Sequence, residues 1–155
     1  MEFSTAYLSP ESLDLFTKLS VALILGVVLG LERVVAHKTA GMRTYALVSM
    51  GSALFVVVSN MAATIYGDSF QNSDPLRMVS QIVLGVGFLG AGLIVFKDSQ
   101  LQGLTTAGGL WVAAGIGAAA GFGFYNLAVI ATVLTLFVFV GLWFVESGIK
   151  KFLKD

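Results

Sequence analysis

The side chains of this sequence that could do chemistry are few, and they fall into two groups. Glu32 and Arg33 close the motif GLER (30–33), Arg43 and Thr44 sit in AGMRTYALV (40–48), and Thr105 and Thr106 open GLTTAGGLWVAAGIG (103–117). Asn60, Asp74, Arg77 and Gln81 form the second group. Carboxylates beside guanidiniums can pair, or exchange partners with an ion, but they supply no nucleophile with a base beside it. The single histidine, His37, lies in the short connection HKTAGM and reads as an ordinary loop residue, and the chain has no cysteine. No metal-ligand set, disulfide or thiolate site can be read from these residues, so the sequence points away from an enzyme and implies no cofactor. One motif argues otherwise at first sight. GVGFLG, with Gly85, Gly87 and Gly90, matches the glycine pattern of dinucleotide-binding loops. That pattern needs a preceding strand and an acidic residue about 20 positions further on for the ribose. Residues 99–145 carry no charge at all, so the acidic partner is missing.

The elements that must position these residues follow from composition. The chain is 57% hydrophobic and 12% charged, where a soluble domain carries about 25% charge. Its formal net charge is zero, which gives nucleic acid no handle. A lipid bilayer is the expected surroundings. The charges cut the 155 residues into apolar spans: about Leu15 to Ala36, Thr44 to Gly67, Met78 to Phe96, and an uncharged stretch long enough for two crossings. GFGFYN (121–126) is the natural break in that stretch, since glycine and asparagine suit a tight connection. Spans four and five are then about Leu104 to Ala120 and Phe124 to Val145. The expected fold is all-α: one domain over residues 1–155, a bundle of five transmembrane helices. With the N-terminus outside, seven of the nine lysines and arginines lie in cytoplasmic segments, as the positive-inside rule requires. The C-terminus is then cytoplasmic, with GIKKFLKD as a short basic tail against lipid head groups.

Glycine has a separate use in such a bundle. Membrane helices associate by close backbone approach, which small residues allow. Gly26 and Gly30 are four apart on span one, and Gly117 and Gly121 repeat the spacing on span four. Span three carries Gly85, Gly87, Gly90 and Gly92, pointing several ways, which predicts a central helix packed on more than one side. These glycines are expected to be packing surfaces, the alternative being a thin backbone along a permeation path. Tyr45, Ser49, Ser52 and Ser59 share one face of span two. Their hydroxyls either bond carbonyls of their own helix or line a path. Asn60 beside them needs a partner outside its own side chain. Span five, rich in branched and aromatic residues, reads as peripheral and lipid-facing.

Depth argues that the first group matters. Thirteen uncharged residues separate Lys18 from Glu32, about 20 Å of helix, too short for a hydrocarbon core of about 30 Å. Either Lys18 snorkels outward or Glu32 and Arg33 lie within membrane depth. An ionised Glu32 there needs partners. Arg33 is about 100° away around the helix, so Arg43 and the N-terminus of span four, with Thr105 or Thr106, are the expected ones. The result is either a salt bridge that locks helices or a place where an ion or partner competes for Glu32. In the second group, Asp74 followed by Pro75 reads as a helix start. Asp74 is thus a cap or, failing that, a pathway residue, and Arg77 an anchor or its partner.

GLER, AGMRTYALV, DPLRMVSQIVLGVGFLGAG (74–92) and GLTTAGGLWVAAGIG, in this order, resemble the membrane domain of the MgtC/SapB family over roughly residues 15–125. Methionine at position 42, where leucine is usual, and Gly108–Gly109, where larger residues are common, depart from the pattern. The resemblance implies a bacterial inner-membrane protein associated with growth under magnesium limitation and, in pathogens, with survival inside host cells. Many members add a soluble C-terminal domain; this chain stops at Asp155. Two functions follow as expectations. One is a non-enzymatic regulator or accessory protein bound to a larger membrane complex. The other is a small channel or carrier for Mg²⁺ or another cation. A homodimer, with a glycine face of span one or span four at the contact, completes the list of expected partners.

Overall fold

The computed structural model describes residues 9–66, 75–97 and 99–153. Five helices form within them: α1 Pro10–Val35, α2 Met42–Tyr66, α3 Pro75–Leu93, α4 Leu104–Gly121 and α5 Tyr125–Phe152. Helix α5 is interrupted by a π-helical turn, Phe137–Gly141. Four of the five, α1, α2, α4 and α5, are long and apolar enough to cross a membrane, and α3 has a shorter apolar stretch, Arg77–Leu93.

Local chemistry sets the helix ends. The side chain of Ser9 accepts from the backbone N–H of Ser12 at 3.1 Å, and Pro10 occupies the first turn, where its missing N–H costs nothing. Helix α1 therefore starts five residues before the expected Leu15. At its other end the N–H groups of His37 and Lys38 return to the carbonyls of Val34 and Arg33. His37 takes the left-handed conformation, φ 55°, at the position where glycine usually closes a helix. Pro75 begins α3 as its sequence suggests; Asp74 lies outside the described residues.

Two boundaries differ from the sequence reading. Helix α3 stops at Leu93, and Val95–Lys97 pairs antiparallel with Gln100–Gln102 as a short hairpin, Phe96 opposite Leu101. Ser99 and Gly103 take positive φ, 61° and 92°, on either side of the second strand. A side chain at Gly103 would run into the carbonyl of Leu93. The apolar run through Val95 and Phe96 concealed this break, because branched and aromatic residues suit strands as well as membrane helices. Helix α5, in turn, continues to Phe152 and takes in most of the segment read as a tail.

The centre of the bundle is α4, not α3. Helix α4 meets α1, α2, α3 and α5. Its Gly109, Ala113, Ala114, Gly117, Ala118, Ala120 and Gly121 are buried around the helix. Among the described side chains of helix α3, only Ile82, Val86 and Gly90 are buried, at i, i+4, i+8. Positions Gly85, Gly87 and Gly92 face open space, and a Cβ on Gly90 would make only ordinary contact, 3.6 Å from Ala107 Cβ. The reason is what accompanies the glycines: α4 has small residues on every side, whereas α3 sets Leu84, Phe88 and Leu89 among its own.

Helix α2 lies between α1 and α4 at close range. A Cβ at Gly26 would lie 2.7 Å from the Tyr45 carbonyl, and one at Gly30 would collide with the backbone of Met42. On the other side, Gly117 faces the backbone of Ser49, and a Cβ at Gly121 would lie 2.8 Å from the Ala53 carbonyl. Both four-residue glycine pairs are thus taken up inside the chain.

Candidate functional site

A cluster of polar and aromatic side chains closes one end of the bundle. Arg33 is its centre. The side chain is 3% exposed and pairs with the carboxylate of Glu32, itself 16% exposed, through Nε and Nη2. The guanidinium lies over Phe139, its Cζ 3.5 Å from the ring centroid. A desolvated cation–π contact of this kind is worth about 2 kcal/mol or more.

Three other helices build the walls. The π-helical turn of α5 carries Phe139, its only buried residue. Tyr45 on α2 is fully buried, and its hydroxyl donates to the backbone carbonyl of Thr106 at 3.1 Å. That carbonyl belongs to the first turn of α4, so the bond ties α2 to the start of α4. Gly109, one turn on, leaves the space both aromatic side chains use. A Cβ there would lie 2.6 Å from Tyr45 Oη and collide with the Phe139 ring. The departure from larger residues noted at position 109 is therefore matched to Phe139.

The expected partners of Glu32 are corrected on this geometry. Its carboxylate pairs with Arg33 rather than Arg43, and Arg43, Thr44 and Thr105 are exposed. Adjacent positions on a helix diverge by about 100°, but an arginine side chain is long enough for Nε to fold back onto its neighbour. Thr106 is buried and takes part through its backbone. Arg33, read as not easily sharing Glu32's face, is thus its ion-pair partner. Phe139 was missed, and Gly109 was noted only as a departure from the family pattern. The lone interior glycine of span five, Gly141, was the one available cue: a Cβ there would lie 2.9 Å from the Phe137 ring.

The polar face of α2 divides its bonds. Ser49 donates across to the carbonyl of Ala22 on α1 at 2.7 Å, while Ser52 returns to Val48 in its own helix at 2.8 Å. Ser59 is half-buried.

At the opposite end, Asn60 lines an open cleft of about 210 Å³ with Glu11, Asp14, Lys18 and Thr64. Lys18 donates to Asp14 at 2.6 Å, and the Thr64 hydroxyl to the Asn60 carbonyl at 3.0 Å. Glu11 and Asp14 were not singled out in the sequence. Arg77 and Gln81 are exposed on α3 and do not line this cleft, and Asp74 lies outside the described residues. Among the described residues, no group of three or more histidine, cysteine or acidic side chains is placed to hold a metal ion.

Residues 19–147 match the MgtC family. The chain is 41% identical to the YhiD protein of Escherichia coli K12, whose name carries a provisional magnesium-transporter label, over 81% of this chain and 59% of that protein. It is 36% identical to protein SapB of Bacillus subtilis, over 94% of this chain and 61% of SapB. It is 42% identical to protein MgtC of Brucella abortus, over 77% of this chain and 48% of MgtC. The matches thus span about half to three-fifths of the length of these curated relatives. No solved structure matches the chain. On the match over residues 19–147 and these identities, the chain belongs to the MgtC family.

Proposed function

We propose that this protein is a non-enzymatic regulator or accessory subunit of the bacterial inner membrane, active when magnesium is scarce. In this reading the chain crosses the bilayer five times, with its N-terminus outside and the Glu32–Arg33 end toward the cytoplasm. Seven of nine cationic side chains then fall on the cytoplasmic side.

The observation that carries the reading is the buried charge at the cytoplasmic end. It is a guanidinium, neutralised by Glu32 and covered by Phe139. A Mg²⁺ path needs oxygen ligands, carboxylates above all, around a largely hydrated ion. Residues 42–66, 75–93, 104–121 and 125–141 contain no Asp or Glu. A cation moving through the centre would meet Arg33 and the close-packed backbones of α2 and α4. That arrangement suits a locked bundle which presents surfaces to another membrane protein.

The second reading is transport of Mg²⁺ or another cation. The name of YhiD favours it, as does the cleft with Glu11, Asp14 and Asn60. Gentle solubilisation of cells grown at low Mg²⁺, followed by affinity purification, separates the two. A membrane complex recovered at fixed stoichiometry supports the regulator; the chain recovered only with itself supports the carrier.

A homodimer fits either reading, but its contact moves. The glycine pairs Gly26/Gly30 and Gly117/Gly121 are occupied by α2, while Gly85 and Gly92 of α3 and Gly108 and Gly115 of α4 meet nothing within 4 Å; the proposed contact is the α3 face, at Gly85 and Gly92.

A further inference from the structure

The last helix reaches well past the rest of the bundle. Two approaches set its direction against α1: Gly123, in the turn just before the helix, sits where a Cβ would lie 3.8 Å from Lys18 Cε, and Phe139 lies on Arg33. The two helices therefore run in the same direction. Helix α1 ends two residues after Arg33, at Val35. Helix α5 goes on for 13 residues after Phe139, to Phe152, or about 20 Å. Within Leu142–Phe152 no residue is buried.

This overhang is amphipathic. Val145, Ile149 and Phe152, at i, i+4, i+7, form an apolar stripe, and Phe152 is 82% exposed. Glu146 with Lys150, and Ser147 with Lys151, each four apart, line the opposite side. Trp143 and Phe144 stand at its base with ring centroids 4.9 Å apart. The same end of the molecule exposes Lys38, Arg43 and Lys97, and none of these cations makes an ion pair among the described residues.

We infer that Leu142–Phe152 is an arm that binds the anionic phospholipid head groups of the leaflet at the Arg33 end. The inference rests on the membrane reading above but not on the choice between regulator and carrier. An amphipathic helix with lysines on its polar face, an apolar stripe, and tryptophan at its base has the composition of an interfacial segment. Each lysine close to an anionic surface adds to the attraction, which falls off within a Debye length. Charge selects the occupant: the exposed cations at this end outnumber the described exposed acid, Glu146, and complement an anionic leaflet. Phe139, the buried residue of the π-helical turn, lies on Arg33 and holds the root of the arm.

The full chain with Trp111→Phe keeps Trp143 as its one tryptophan and reports on the arm. It is reconstituted in phosphatidylcholine bilayers holding equal small fractions of bromoacyl phosphatidylglycerol or bromoacyl phosphatidylcholine. Quenching of Trp143 at least twofold stronger by the brominated phosphatidylglycerol is expected. Lys150→Glu with Lys151→Glu should reduce the ratio toward one, and Lys150→Gln with Lys151→Gln should give an intermediate value. Circular dichroism checks that each variant stays helical. Equal quenching by the two lipids would overturn head-group selection while leaving the membrane placement standing. Trp143 shielded from both lipids, with copies crosslinking through the arm, would show that a second copy covers it and would overturn the inference as well.

Discussion

Arg33 and Phe139, 106 positions apart in sequence, meet with the guanidinium 3.5 Å from the ring centre, and join the end of the first helix to the middle of the last. The contact needs three local conditions. Glu32 must neutralise the charge, Gly109 must leave room for the ring, and the π-helical turn must present it.

The pair can be weighed by substitution. Phe139→Leu keeps an apolar side chain and removes the ring face, at an expected loss of about 2 kcal/mol. Arg33→Gln leaves Glu32 without its partner and should cost more, about 3–5 kcal/mol, as for one half of a buried pair. Glu32→Gln combined with Arg33→Gln should recover part of that loss. Thermal unfolding in one fixed detergent measures all three. A double variant less stable than Arg33→Gln alone would contradict the pairing.

Two glycines of the same type should behave oppositely. Gly117→Leu drives a side chain into the backbone of Ser49 and should prevent the folded bundle from forming. Gly85→Leu meets nothing within 4 Å and should leave the fold intact. If copies associate through α3, the same Gly85→Leu change should weaken crosslinking between them, since close approach is lost. Crosslinking unchanged in a folded Gly85→Leu variant would remove α3 from the contact.

The two buried serines of α2 differ in what they hold. Ser49→Ala breaks the bond to Ala22 on α1, an interhelical bond expected to be worth about 0.6 kcal/mol and at most about 1.7. Ser52→Ala removes only a bond within its own helix and should change stability less. Equal losses from the two would show that the α1 contact contributes nothing.

Topology is open to labelling because the chain has no cysteine. A cysteine at exposed Glu11 should react with an impermeant reagent in intact cells, and one at Ser99 in the hairpin only after the membrane is opened. Reaction of the Ser99→Cys chain in intact cells would overturn the N-outside orientation.

Much of the fold was legible because lipid is a simple solvent. Uncharged stretches marked five helices, and the four-residue glycine spacings of α1 and α4 named positions that lie against α2. The pairing of those elements was less legible. Four glycines on α3 suggested a centre, but Leu84, Phe88 and Leu89 beside them keep that face open, while the small residues of α4 close around it. The hairpin at Val95–Gln102 was hidden because branched and aromatic residues serve strand and membrane helix alike. At the site, depth marked Glu32 and Arg33, and the structure pairs them with the Arg33 side chain buried. The partner was misassigned because angular position on a helix does not bound the reach of an arginine. Phe139 was barely legible: a π-turn shifts register by one residue, and Gly141 was the one cue to it in FVFVG.

The central claim, a locked bundle that regulates rather than conducts, is tested most directly by Mg²⁺ flux into liposomes. The purified chain is reconstituted over an entrapped Mg²⁺ indicator, with an inward gradient and a potential negative inside. Uptake equal to that of protein-free liposomes is expected, at every protein density and with Phe139→Leu as well as the unaltered chain. Uptake that rises with protein density, saturates with Mg²⁺ and is abolished by Gly117→Leu would contradict it and make the chain a carrier.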